Sequence, residues 1–202
     1  MFKRIKRLIK NKAAATKAEP HSHYDTEKVM ALVALLSDND GAVLELLALY
    51  NEGAMAEFWS KAEALFDEGD VAGLRYTDAA NAGIVEIAKE ILEYRGYIVG
   101  IDWKAPFEDL LFVAKKSLAH YGIDPSVYDD VPDQDMLQAP DALEVMASRL
   151  PEGFGMGFWD YESDSYQVII GKKSTLKAAE ALGKELGLPI FADWRDCESI
   201  GY

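Results

Sequence analysis

The residues of this chain best suited to chemistry are three neighbouring pairs of aspartate and tryptophan: Asp102-Trp103, Trp159-Asp160 and Asp193-Trp194. Each lies at the end of an apolar run with strand character. Carboxylates that converge at one end of a sheet can hold a divalent cation or share acid–base work. Convergence requires compatible strand directions. The strand order derived below makes the first two strands parallel, which puts Asp102 and Asp160 at one end and Asp193 at the other. The candidate acid pair is therefore Asp102 and Asp160, and its chemistry would be a cation-dependent reaction. The competing reading is that strand-end acids beside aromatics are ordinary edge residues.

Other constellations are weaker. Gly171-Lys172-Lys173-Ser174-Thr175 resembles the end of a phosphate loop, but Tyr166 stands where the upstream glycine belongs. What survives is an anion site made of Lys172, Lys173 and Ser174 at a helix start, set against a plain helix cap with solvated lysines. Gly153, Gly155 and Gly157 have the wrong spacing for a dinucleotide fingerprint and lie in a strand, where glycine admits a close neighbour. His21 and His23 lie in a linker without a partner pattern for a metal. Cys197 is the only cysteine, and neither a pairing with His120 nor a Ser-His-Asp pattern stands out. No motif specifies a reaction, so no catalytic residue, metal ligand or cofactor is assigned.

Charge is the most informative property. The 202 residues carry a net charge of −14, unevenly distributed. Seven of the 21 basic residues fall in residues 1–17, which hold no acid, leaving fourteen bases against all 35 acids in the remainder. Such a body repels nucleic acid and anionic lipid and favours a basic protein partner. The loop holding Asp129, Asp130, Asp133 and Asp135 lacks the glycine and terminal glutamate of a calcium site, and is the candidate docking surface. The N-terminal segment has the opposite preference. Its residues Phe2, Lys3, Arg4, Ile5, Lys6, Arg7, Leu8 and Ile9 place apolar and basic side chains at helical spacing, as a membrane-surface helix does. Folding back on the body and remaining unstructured are the alternatives. No signal peptide or bilayer-length apolar run is visible, and a lone cysteine suits a reducing compartment.

These residues need elements to position them. Residues 1–24 read as tail and linker, 25–95 as a helical region and 96–202 as an α/β region, with 25–202 forming one compact unit. Helical periodicity runs from Asp25 or Thr26 to Leu36, over Val43–Tyr50, from Met55 to Phe66 with Gly69-Asp70 as its close, and over Asp78–Tyr94. After Gly96 the period becomes two. Strands follow over 97–103, 154–161, 166–170 and 190–194. Helices are expected from Pro106 to His120, from Pro140 to Arg149, and from Ser174 to Leu186, with an acidic loop at 123–139. The order β-α-(α)-β-β-α-β is that of a ferredoxin-like split β-α-β fold. It predicts an α+β protein with a four-stranded antiparallel sheet in the order 4-1-3-2 and the helical region packed on it.

The strand Tyr97–Lys104 and the hairpin start Gly157-Phe158-Trp159-Asp160-Tyr161 resemble parts of uncharacterised bacterial domains of unknown function, some of them similar to immunity proteins. The resemblance spans residues 97–194 and transfers no functional residue. It implies a bacterial, cytoplasmic, non-catalytic protein, and the tail adds attachment at the inner membrane face. Each tail base near an anionic surface is worth about 1 kcal/mol. The expected result is weak, salt-sensitive binding to anionic vesicles that is lost on deleting residues 1–17, with the thermal midpoint unchanged. A midpoint lowered by several degrees would place the tail on the body instead.

Overall fold

The computed structural model describes residues 24–79, 83–102, 104–132, 136–160 and 165–197, and for Ser165 and Tyr166 the backbone alone. Phe2 to Ile9, His21, His23, Trp103, Asp133 and Asp135 lie outside the described residues.

Five helices come first: α1 (Thr26–Leu36), α2 (Gly41–Asn51), α3 (Met55–Leu65), α4 (Glu68–Ala79) and α5 (Ile84–Tyr94). Local chemistry starts two of them. The Asp25 carboxylate accepts from the N–H groups of Glu27 and Lys28, and Asp40 does the same for Ala42 and Val43, satisfying donors that a helix start leaves free. Helix α4 departs from the sequence reading, which ends a helix at Gly69-Asp70 and opens the next at Asp78. Only Val71 and Leu74 of α4 are buried, so its apolar period is too sparse to read. Gly73 fits because the Tyr94 hydroxyl occupies the space a Cβ would need; this close approach of α4 to α5 is a tertiary reason for the helix.

The second half contains β1 (Ile98–Asp102), α6 (Phe107–Ala119), α7 (Asp141–Ser148), β2 (Phe154–Trp159), β3 (Ser165–Lys172), α8 (Lys173–Leu186) and β4 (Ile190–Phe191). Between α6 and α7 the expected loop holds a short 3-10 turn, Pro125–Tyr128, that buries Tyr128. Helix α8 starts after Lys172 rather than at Ser174, and Gly187 ends it in the left-handed conformation (φ 71°). The last strand stops at Phe191, short of the expected Trp194, because Asp193 caps a 3-10 turn over Trp194–Asp196.

All neighbouring strands are antiparallel, in the order β1-β3-β2-β4. The expected order 4-1-3-2 is therefore wrong in one respect: β4 lies beside β2, not beside β1. The reason is the face taken by α8. In the ferredoxin-like order both crossover helices lie on one face. Here α6 and α7 belong to one apolar core, with Ile101, Phe158, Val168 and Ile170. Helix α8 belongs to the other, where Leu176 and Ala179 join Ile98, Trp159 and Ile169 and the α1–α5 helices. Strand β3 runs opposite to β1. A crossover of the same hand on the opposite face carries the chain outward past β2 instead of back past β1.

The alternation of side chains is strict. Ile98, Trp159 and Ile169 face the α1–α5 layer, while Ile101, Phe158 and Val168 face α6 and α7. Gly157 sits where β4 crosses close to β2, and a Cβ there would stand 2.5 Å from the Phe191 carbonyl oxygen. Gly157→Ala should therefore destabilise the protein by about 1–3 kcal/mol through overpacking against backbone. Urea unfolding measures this; a variant as stable as the parent would mean that β4 does not hold its position.

Candidate functional site

The proposed acid pair is not assembled. One strand, β3, separates the two carboxylates. The pleat turns Asp102 to the face of Ile98 and Asp160 to the face of Phe158. Asp102 is occupied locally, accepting from the Lys104 N–H at 3.0 Å. Asp160 lies 3.7 Å from the buried Cys197 thiol, whose S–H points to its Oδ2. Cys197 is thus at the far end of the sheet from His120, which bonds to Arg95 just before β1. Among the described residues no three His, Cys, Asp or Glu side chains gather as a metal cluster.

Asp130 of the acidic loop forms an ion pair with Arg149, while Asp129 is exposed. Lys172 pairs with Asp38 at 3.2 Å, which removes it from the expected anion site; Lys173 and Ser174 are exposed. A larger acidic surface lies in the helical layer. Residues 41–94 hold eleven acids and three bases, and each base is in an ion pair: Lys61 with Glu45, Arg75 with Glu63, Lys89 with Glu93. Eight carboxylates, Glu52, Glu57 and Glu68 among them, are left without an ion pair among the described residues. Tyr76 is exposed beside them on α4, and the Arg75 guanidinium lies 4.4 Å over the Trp59 ring.

A cleft of about 410 Å³ opens at the β2 edge of the sheet. Its wall on one face is α8, with Lys173, Lys177 and Glu180; its wall on the other is apolar, with Ala147, Phe154 and Trp194. Asp193 and Arg195 form its rim, in a two-point ion pair at 2.9 and 2.6 Å. The Arg195 guanidinium holds the Asp193 carboxyl below the usual carboxylate range. Sequence reading missed this cleft, although Lys173 was placed in the candidate anion site, because the cleft exists only where β4 ends early.

A polar seam joins the two layers. Asp40 Oδ2 accepts from Arg95 Nη2 at 2.9 Å and from the Tyr97 hydroxyl at 3.0 Å. The Tyr97 ring stacks on His120 with centroids 3.9 Å apart, and His120 Nε2–H donates to the Arg95 carbonyl at 2.9 Å. Burial favours a protonated Asp40, but the hydrogen bonds from Arg95, Tyr97 and Ala42 outweigh it and hold the carboxyl below its ordinary value of 3.8. Burial pushes His120 below its ordinary 6.5.

The fold and these surfaces define a mixed helix-and-sheet protein: a four-stranded antiparallel sheet covered by helices on both faces, with an acidic helical layer and an edge cleft lined by side chains of both charges. The chain belongs to the family described as "Domain of unknown function (DUF6630)", whose model matches residues 28–194. The match takes in both layers, further toward the N-terminus than residues 97–194. Among curated proteins and among solved structures, none matches the chain.

The seam yields a test of pH dependence. A carboxylate with a depressed folded value stabilises the protein above its unfolded value and loses that contribution as the pH falls through the folded one. Asp40→Asn retains the helix cap and removes the charge. It should cost about 1–3 kcal/mol at neutral pH, and its gap to the parent should narrow below about pH 4. Urea unfolding across that range measures both; a gap that stays constant would mean that the charge contributes nothing.

Proposed function

We propose that this protein is a non-enzymatic binding module of the bacterial cytoplasm, of immunity or adaptor type, whose acidic helical layer docks a basic protein partner. The observation that carries the reading is the charge balance of residues 41–94, in which every base is neutralised and eight carboxylates remain. Opposite potentials on two surfaces speed their encounter and suppress wrong partners. An exposed tyrosine and an arginine stacked on tryptophan, the residue types that anchor interfaces, lie within the same surface. The loop at Asp129 and Asp130 takes a lesser part in this reading, because Arg149 already neutralises Asp130. The alternative of a cation-dependent enzyme using Asp102 and Asp160 gains no support from carboxylates on opposite faces.

Charge reversal tests the reading. A partner is first recovered from the native host at low salt and purified. Glu52→Lys, Glu57→Lys and Glu68→Lys combined should slow its association by about tenfold at low ionic strength and flatten the salt dependence, with the fold retained by circular dichroism and the thermal midpoint lowered only modestly, because Glu57 and Glu68 lie in the first turns of their helices. Reversal at Asp129 alone should change the rate far less. Unchanged association by the triple variant in stopped-flow mixing would remove the helical layer from the interface.

A further inference from the structure

Helix α6 buries one side against the sheet and leaves the other open. On the open side stand Glu108, Asp109, Phe112, Lys115 and Lys116, all exposed. Phe112 is 58% exposed, whereas the other phenylalanines among the described residues are buried or half-buried. None of its four charged neighbours is in an ion pair among the described residues. The Lys116 ammonium lies 4.9 Å from the centre of the Phe112 ring, and it acts on Asp70 of α4 only from beyond ion-pair distance.

The five residues are symmetric about Phe112. The two acids come three and four positions before it, and the two lysines three and four positions after it. At 100° per residue, Glu108 and Lys115 fall on one flank of Phe112 and Asp109 and Lys116 on the other, each about 40–60° from it. Along the axis each stands about 4.5 or 6 Å from Phe112. An antiparallel copy of this helix, related by a two-fold axis crossing it at Phe112, therefore sets the two phenylalanines together. It sets Glu108 against Lys115 of the copy and Asp109 against Lys116 of the copy, each pair occurring twice. The helix dipole favours acids at the start of a helix and bases at its end, which accounts for the signs but not for an open phenylalanine at the point of symmetry.

We propose that this face binds a second copy of the chain, with α6 antiparallel to α6 of the other protomer, Phe112 against Phe112 at the centre and four ion pairs around them. Burial of the two rings supplies the attraction. The charges set the direction, since a parallel arrangement brings acid to acid and lysine to lysine. Two chains of net charge −14 repel one another at a distance. At physiological salt that repulsion is screened beyond about 8 Å, whereas the pairs across the interface are closer than this. A helix of 13 residues is about 20 Å long, so the contact is smaller than a standard interface and the dimer exchanges with monomer. The face lies across the sheet from the acidic helical layer, and its test uses neither that layer nor its partner.

Sedimentation equilibrium of the full chain in about 0.15 M salt tests this. The parent should show a reversible monomer–dimer equilibrium at concentrations up to about 1 mM. Phe112→Ser should weaken the dimer about tenfold or more, and so should each of two charge variants, Glu108→Lys/Asp109→Lys and Lys115→Glu/Lys116→Glu. An equimolar mixture of the two charge variants should associate again, because every pair across the axis then joins opposite charges. Circular dichroism checks that each variant is folded. Phe112→Ser replaces an exposed side chain and keeps the thermal midpoint, so it decides the matter if a charge variant does not fold. Each of three results would overturn the proposal: a parent that stays monomeric up to about 1 mM, a Phe112→Ser variant that dimerises as the parent does, or a mixture of folded charge variants that associates no better than either alone.

Discussion

The packing of α8 against α1 decides the rest of the architecture. The two helices run antiparallel, tied at one end by Lys28 to Glu185 and at the other by Lys172 to Asp38, and between these pairs they share an apolar core. These surface ion pairs are worth little by themselves; the buried Leu32, Val33, Leu176 and Ala179 between them supply the attraction. Once α8 is held on the face of the helical layer, a crossover of constant hand sends β4 past β2. The edge position of β4 and the early departure of the chain at Ala192 follow from that one choice of face.

Two cores rather than one result from it. The sheet carries alternating apolar side chains toward both faces, and neither α6 with α7 nor the α1–α5 layer with α8 could bury both. Asp40 shows how the layers are held in register. A single carboxylate caps α2, receives Arg95 from the end of α5 and receives Tyr97 at the start of β1. Removing its partners from water is costly, and the hydrogen bonds that compensate fix the turn between α1 and α2 over the start of the sheet.

The charge layout follows the same division. The helical layer is acidic, with its few bases neutralised by its own glutamates, whereas α8 carries lysines to the sheet edge. The body, acidic as a whole by composition, therefore presents different charge on its different layers.

The amino-acid sequence alone determined whatever depends on near neighbours. Helical and strand periods, the Asp25 cap and the Gly187 stop are local, and the strands of the sheet were legible to within a few residues because β-branched and aromatic runs have few other solutions. The surplus of acids was fixed by composition. Helix α4 was not legible, since two buried side chains make no period and Gly73 becomes intelligible only beside Tyr94. Strand order was not legible either, because the face of α8 is set by contact with α1, more than a hundred residues away. The separation of Asp102 from Asp160 follows from pleat parity, which one residue of register reverses. The cleft beside β2 is the furthest from sequence: residues from α7, β2, α8 and the turn after β4 line it, and only the packed chain brings them together.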